Sequence, residues 1–517
     1  MKINFLEKVI SIISPKTAFT REVQRQKIKA ITDNEIVDSS SFQESTLRRF
    51  NPPLDKPKTY MNRSVLNITS ARIQKLYWSG TTAKIIIDGI VSNVVGEGIK
   101  VKSVPDHETL GLTRDEARKL GERITKNFSS WCLSNESDLM GEDSFFQQTI
   151  TAYTTYHIFG EFFFRITVEN TKYGDIPKLY LVSPDRVKNP TSTNEKLNIN
   201  SKEKKVINGI EFDQNNKATH YHICLDDNPN SFLSETQRFG IYGEESKERV
   251  IFHFLERKII EQIRGISPLA ACLASIVNLE KYKKAERTAA VQQGNLTFTI
   301  KTDEELEEDE DFFDDEESKK LKKSGVMEKN STKIKEATFV EIKGNEEVKM
   351  LQPSRPNAQY KPYLMAEWQE IAASIEVPFE VLLMFFSASY SASRGAVTLS
   401  DRSFDLKRNK FGNGFIFPFY QALFEIDLEG GLYPEIDKEL YFDNLTYRSA
   451  VLGVEYSSLR RKDIDGLKSA KAAGERILRK ITSIGHEQRE AGLDPDLMKA
   501  EIKEEEKFYC KEVQQNV

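Results

Sequence analysis

The sequence predicts an α+β protein in which a strand-rich region lies between long helical segments. Apolar residues recur at helical spacing over 65–95, which indicates amphipathic helices near the N-terminus. Between 161 and 254, short runs rich in aromatic and β-branched residues are separated by Asn, Asp and Gly, as expected for strands and their turns. From Ser267 onward the helical pattern returns and dominates the rest of the chain.

Composition limits the function classes. With 517 residues, 39% of them hydrophobic, the chain is long enough for several packed domains. Its four cysteines form no CxxC pair, which suggests a reducing compartment without a disulfide framework. We see no signal peptide, and the apolar run within Met1 to Lys16 is too short to span a bilayer, so we expect an amphipathic arm and no membrane partner. A net charge of −5 argues against a tight, sequence-specific DNA-binding protein but is compatible with a conduit through which DNA slides.

The N-terminal part should contain an arm followed by helices. Residues 1–62 are polar and predict a flexible arm. The helical pattern of 65–95 is interrupted at Gly80. Gly96 and Gly98 should end it, because glycine permits the positive φ of a helix stop.

The next segments predict one more helix and then strands. That helix should run from Thr113, a suitable N-cap, to Leu139. Three consecutive phenylalanines within 161–168 predict a buried strand. His220 and His222 should lie on one face of a later strand; a metal pair is one interpretation, but no Cys or acidic residue stands at ligand spacing, so a sheet-face pair is the better one. The remaining predicted strands are 178–182, 206–212, 219–224 and 250–254.

Ser267-Pro268 should open a long helix, because serine is a good N-cap and proline fits the first helical position. We expect this helix to end near Gly294. Its apolar stripe consists of Leu269, Leu273, Ile276 and Leu279. Beyond it, twelve of the fifteen residues in 303–317 are acidic, which is typical of a solvated, disordered insertion.

The segment from 357 to 426 predicts two helices around a serine-rich loop. The first helix should stop before Pro378, because the residue preceding a proline avoids the α region. We expect Ser387 to Ser393 to form a mobile loop and a second helix to run from Arg394 to about Phe415. Its expected core contacts are Phe404, Leu406 and Phe411, with a kink or end at Gly412, Gly414 and Pro418. Residues 456–517 should be helical and charged, with breaks at Gly485 and Gly492.

These segments resemble, in order, the portal proteins of lambda-type tailed phages. The resemblance is strongest over residues 371–402, where an "IA…VP…" helix end precedes the serine-rich loop. Shorter matches are Ile90 to Ile99, Leu181 to Arg186 with Ile207 to Glu211, His253 with Gln262 to Leu269, and Gly344 to Pro356. The resemblance implies a ring-forming portal fold with an arm (1–62), an α/β wing (63–265 and 395–450), stem helices (266–295 and 357–378), a small α/β clip with the acidic insertion (296–356), a tunnel loop (379–394) and a helical crown (451–517).

The resemblance also implies a function. Portal rings, commonly of twelve subunits, occupy one capsid vertex of the virion and assemble in the host cytoplasm. Double-stranded DNA would pass through without sequence readout. The terminase large subunit, the major capsid and scaffold proteins, and a head-tail adaptor would be partners.

The tunnel residues would be Ser387, Ser389, Tyr390, Ser391, Ser393 and Arg394. Lys281, Lys284 and Arg287 of the first stem helix would face either DNA or a neighbouring subunit, and Arg394, Arg402 and Arg408 have the same two alternatives. The acidic residues Asp303, Glu304, Glu305, Glu307, Glu308 and Asp309 would dock a packaging motor or adaptor, or repel DNA from the channel wall.

Other function classes receive less support. The chain has no Walker P-loop, HExxH or GxSxG motif, and no histidine lies near the serine-rich loop in sequence, so we expect neither an enzyme nor a cofactor. A DNA-processing enzyme would need acids arranged to hold Mg²⁺, and the block at 303–317 is too uniform for that. A non-enzymatic α+β scaffold protein with a disordered acidic segment would share the composition but not the ordered run of motifs.

Overall fold

The computed structural model describes residues 63–172, 174–190, 205–225, 236–244, 246–295, 357–386, 390–456 and 466–491, together with 493, 495, 498–499 and 501–506. It is a mixed α+β structure, as predicted. The chain divides into a larger unit, Met1–Ala274 with Gln369–Val517, and a smaller unit, Ser275–Trp368. The predicted arm, the acidic insertion and the matched segment Gly344 to Pro356 lie outside the described residues. No described helix has the length and apolar character needed to cross a membrane.

The larger unit begins with the predicted helix pair. Helices α1 (Arg63–Ser79) and α2 (Thr81–Val94) are separated by Gly80. The apolar face of α2 is buried, and the chain leaves it through positive φ values at Gly96 and Gly98. Both glycine predictions are therefore confirmed.

Two capped helices lead from there into the sheet. After strand β1 (Val101–Ser103) and the short α3 (His107–Leu110), helix α4 (Arg114–Leu133) opens with a capping box between Thr113 and Glu116. Helix α5 (Phe145–Phe159) has a second capping box. The predicted N-cap at Thr113 is confirmed, and α4 ends six residues before Leu139.

Two sheets form the strand-rich region. In the first, the order is β3 (Gly174–Val182), β2 (Glu161–Thr171), β8 (Ile251–Leu255), all antiparallel. The three phenylalanines of β2 are buried, as predicted. The second sheet contains β4 (Lys205–Ile207), β5 (Ile210–Phe212), β6 (Ala218–Cys224) and β7 (Thr236–Gly240). The sequence prediction missed β7 and also β1, which pairs with β9 (Val454–Tyr456) some 350 positions away.

The C-terminal helices of the larger unit cover the first sheet. Helix α8 (Phe379–Leu382) precedes α9 (Tyr390–Phe411), a π-helical turn (Gly412–Ile416) and α10 (Phe417–Glu429). The helical path therefore continues through the predicted kink instead of ending there. Successive turns of this path place Phe411, Phe415 and Phe419 against the aromatic side chains of β2 and α5.

Glycine is required at both positions of the π turn because neighbouring rings approach closely. A Cβ at Gly412 would lie 2.6 Å from the ring of Tyr456, and one at Gly414 would lie 2.7 Å from Phe254. Of the three expected core residues of α9, Phe404 and Phe411 are buried, but Leu406 is 57% exposed, so that prediction was wrong. Leu406 is two positions from the buried Phe404, which places it on another side of the helix.

The chain ends in short helices. They are α11 (Lys438–Asp443), α12 (Leu445–Val451), α13 (Gly466–Leu478) and α14 (Ile484–Glu490). The break predicted at Gly485 is wrong, because that residue lies inside α14 and the interruption falls earlier, where Lys480 has a positive φ and Ser483 caps the next helix. Gly492 is outside the described residues.

Candidate functional site

The smaller unit contains most of two helices, α6 (Leu273–Asn295) and α7 (Tyr360–Ser374). On α6, Ile276 and Leu279 are buried, and Tyr282 packs against the rings of Tyr360 at 5.8 Å and Tyr363 at 4.5 Å. Ile276 and Leu279 of the predicted apolar stripe thus lie on the packing face of α6, and aromatic contacts extend it toward the C-terminal end. The predicted start of this helix was wrong, because Ser267 and Pro268 open a separate 3₁₀ turn, Pro268–Ala270, and α6 begins at Leu273.

One lysine of α6 belongs to the packed side. Lys283 is buried, and its ammonium group lies 5.3 Å from the ring centre of Trp368. Burial lowers the pKa of Lys283, with the nearby Glu280 carboxylate acting in the opposite direction. A cation over an aromatic face is attracted by the ring quadrupole, so Lys283 contributes to packing.

The three basic residues proposed for the stem are exposed, although Arg287 lies one turn after the buried Lys283. Lys281, Lys284 and Arg287 are all exposed, and their spacing of three places them along one side of the helix. The structure therefore brings these cations together as a basic stripe, which we call the stem stripe. Their exposure is compatible with contact to DNA or to another copy of the chain.

The serine-rich segment differs from the expectation. Helix α9 begins at Tyr390, so Tyr390, Ser391 and Ser393 belong to a helix and not to a mobile loop. Ser393 is buried, whereas Arg394 is exposed. The early start has a local reason: the alanines and arginine in this stretch are good helix formers, and serine is well tolerated in a first turn. Ser387 and Ser389 lie outside the described residues.

Upstream of this helix, the chain reverses at two strained positions. Helix α7 ends before Glu376, which has a φ of 59°, and Pro378 follows, as the sequence predicted. Met384 has a φ of 51° after α8. Positive φ values are uncommon for residues with side chains. The segment between α7 and α9 therefore has a defined, sharply turned path up to residue 386.

The cations of α9 have different surroundings. Arg394 and Arg402 are exposed, but Arg408 is buried. Arg408 donates hydrogen bonds to the carbonyl oxygens of Val94 (2.9 Å) and Asn93 (2.8 Å), the last residues of α2, and pairs with Asp405. A guanidinium at this place satisfies free carbonyls and complements the helix dipole. Arg408 is therefore a structural cap, and the expectation that it faces DNA or a neighbour was wrong.

A buried ion cluster connects the motifs that carried the family resemblance. The Glu161 carboxylate accepts hydrogen bonds from Arg264 Nε (2.6 Å) and the Gly265 amide (2.6 Å), and its other contact is His253 Nε2 at 2.8 Å. Burial raises the pKa of Glu161, but the charge of Arg264 and the hydrogen bonds outweigh it and hold the pKa below its usual range. Burial lowers the pKa of His253.

The same guanidinium reaches the other motifs. Arg264 donates to the carbonyl oxygens of Pro184 (3.0 Å), Val187 (3.1 Å) and Asn208 (2.7 Å). Two of the matches, 181–186 with 207–211 and His253 with 262–269, thus meet around one arginine, which we call the Arg264 node. The role of Glu161 was not predicted from the sequence; the only signal was a charged residue directly before three buried phenylalanines.

The histidine pair lies on the second sheet. His220 and His222 both approach Glu211, at 3.8 and 3.5 Å. Arg238 binds the same carboxylate with two hydrogen bonds of 2.8 and 2.9 Å. Across the described residues, no group of three or more His, Cys, Asp or Glu side chains is arranged to hold a metal ion. The described cysteines Cys132, Cys224 and Cys272 are buried thiols.

Comparisons with known proteins place the family. The model of the family "Phage portal protein, lambda family" matches residues 43–408. No curated protein matches the chain. Among solved structures, the neck of an empty gene transfer agent particle computed with C6 symmetry shares 11% identity at a TM-score of 0.38, covering 82% of this chain and 94% of the other. A native gene transfer agent virion shares 12% identity at a TM-score of 0.37, covering 82% of this chain and 94% of the other. The neck of a native particle computed with C12 symmetry shares 12% identity at a TM-score of 0.31, covering 79% of this chain and 99% of the other.

Proposed function

The chain belongs to the lambda family of phage portal proteins, and from this we propose that copies of it form a closed ring of about twelve subunits at one capsid vertex. The ring would be the channel for DNA during packaging and ejection. It would also be the platform on which the terminase large subunit and the head-tail adaptor dock. The family is structural, so the work of the protein would be mechanical.

The observation that carries this proposal is the exposure of the stem stripe on a helix that is otherwise packed. Ile276 and Leu279 of α6 are buried and Tyr282 packs against Tyr363, whereas all three cations of the stem stripe are exposed to solvent. A helix with an exposed row of three cations is suited to a surface that is completed by another chain or by a polyanion. In a heterologous ring, every copy would present the same stripe, giving circles of positive charge.

Sparse positive charge suits a conduit. Each phosphate neutralised by a fixed cation adds salt-dependent affinity, so a wall covered with lysine would retain DNA instead of releasing it. The net charge of −5 is consistent with low overall attraction. Contacts to phosphate position a duplex without reading its sequence, so Arg394, Arg402 and the stem stripe would guide DNA of any sequence.

The remaining partners follow from the same role. The major capsid and scaffold proteins would surround the ring in the virion, after assembly in the host cytoplasm. The acidic block at 303–317 would be a contact surface for the motor or adaptor. The tunnel segment would comprise residues 387–394, of which Tyr390 to Arg394 are helical.

The first experiment is to measure the mass and shape of the purified protein by light scattering and negative-stain microscopy. Rings with a central hole are the expected result. A chain that stays monomeric over a range of salt concentrations, and also when co-expressed with its capsid and scaffold proteins, would contradict the proposal.

A charge-reversal variant then separates the two roles of the stem stripe. We expect K281E/K284E/R287E to form rings and to package less DNA if the stripe faces the channel. Loss of rings with the variant would assign the stripe to contacts between subunits. The matched control is K119E/K126E on the exposed side of α4, which should change neither property.

A further inference from the structure

The segment 429–445, which joins α10 to α12, has an unusual surface. Four of its apolar side chains are between 46% and 78% exposed, namely Leu432, Leu440, Phe442 and Leu445. They are interspersed with exposed acidic residues, and Lys438 is the only basic residue of the segment. We call this surface the acidic–apolar patch. Exposed apolar side chains concentrated in one short segment are candidates for an interaction site, whereas singly scattered ones need no explanation.

The patch is held in a fixed shape. Tyr441 is fully buried and packs against Phe424 at 5.5 Å. The Asp437 side chain caps α11 by accepting from the Leu440 amide (3.1 Å), and Lys438 Nζ donates to the Glu429 carbonyl (3.0 Å). The exposed side chains therefore project from an ordered scaffold, so binding there would require little ordering of the patch itself.

The charges of the patch are only partly balanced within the described part of the chain. Glu435 pairs with Arg123 at 2.8 Å. By contrast, Glu429, Glu439 and Asp443 are exposed, and none of them forms an ion pair with a described basic side chain. A complementary partner must therefore supply cations interspersed with apolar groups.

The chain itself contains such a segment. Residues 1–30 have seven basic residues against two acidic ones, and their apolar residues include Phe5, Leu6, Val9 and Ile10. We propose that residues 1–30 dock on the acidic–apolar patch, of the same copy or of an adjacent one. The 32 residues between this segment and α1 can span roughly 100 Å when extended, so length does not limit the contact. The proposal is independent of the DNA channel.

The test is zero-length carbodiimide cross-linking of the full-length protein, which couples lysines to carboxylates only at direct contact. We expect links from lysines of 1–30 to Glu429, Glu439 or Asp443, detected by mass spectrometry. The exposed Lys84–Asp88 pair, 2.6 Å apart, is the internal positive control. A strong Lys84–Asp88 link without any arm-to-patch link would overturn the proposal.

Charge exchange makes the test specific. We expect E439K/D443K to reduce the arm-to-patch links at least fivefold, and K8E/K16E to do the same. Combining the four substitutions should restore links between the two segments. The control E97K/E504K changes charge equally at exposed sites outside the patch and should leave the links unchanged. Links that persist in E439K/D443K, or that fall equally in the control, would mean that the patch does not select the arm.

Discussion

Replacing Arg264 should destabilise the larger unit more than any exposed arginine would. Its guanidinium pairs with Glu161 and donates to three backbone carbonyls, all in a buried setting. In Arg264→Met the carboxylate of Glu161 would stay buried with only His253 and one amide as partners. Leaving one member of a buried pair uncompensated costs about 3–5 kcal/mol. Carbonyls that lose their donor add to this cost.

The measurement is urea unfolding followed by the fluorescence of the protein's three tryptophans. Trp131 is buried in this unit, where its Nε1–H donates to the Pro177 carbonyl oxygen. The matched control is Arg123→Met. That residue has an exposed ion pair with Glu435, so the expected loss is about 0–1 kcal/mol.

A double substitution tests the reasoning itself. Glu161→Gln combined with Arg264→Met removes both charges, and glutamine can still accept from the Gly265 amide. The double variant should be more stable than Arg264→Met alone, because no buried charge is left unpaired. A loss of less than about 1 kcal/mol in Arg264→Met, or equal losses in the single and double variants, would refute the assignment of a charge-coupled node.

Four further predictions can be checked separately. Burial raises the pKa of Asp427 from 3.8 to about 6, so the folded state binds this proton more tightly than the unfolded state. The contribution of Asp427 to stability should therefore increase as pH falls from about 6 to 4, and Asp427→Asn should remove it, so that the difference in melting temperature between variant and wild type changes over this pH range. Gly412→Ala should lower the free energy of unfolding by about 1–3 kcal/mol, because the added methyl group would overpack against Tyr456. Gly474→Ala, a helical position with open space, should raise it by about 0.5–1 kcal/mol. Thermal melts of both variants measure these changes. Deleting 303–317 should leave rings intact in micrographs and weaken binding of the packaging motor. Loss of rings would indicate that these acidic residues are needed for assembly. Removing 387–389 should spare assembly and impair DNA retention, and normal packaging by that variant would count against a channel role.

Local chemistry accounts for the elements that were predicted correctly. A capping residue such as Thr113, a glycine with positive φ such as Gly98, and an aromatic run such as Phe162 to Phe164 each act within a few residues of the chain. The errors have the opposite character. Strand β1 is too short to have a pattern of its own and exists through its pairing with β9. The sequence pattern of α9 does not show whether Leu406 or Arg408 is buried. The neighbouring helices decide this, because the end of α2 provides the carbonyl oxygens that bind Arg408.

Periodicity, caps and ordered motifs are local properties, so they were enough to predict the α+β class, the order of most helices and strands, and membership of the portal family. What those motifs do depends on tertiary contacts. These contacts bring two of the matches, 181–186 with 207–211 and His253 with 262–269, together around Arg264, and they make Arg408 a helix cap. They also leave the stem stripe and the acidic–apolar patch at the surface. The physical reason is that burial and hydrogen bonding of a charged side chain depend on groups contributed by remote parts of the chain, which no local pattern specifies.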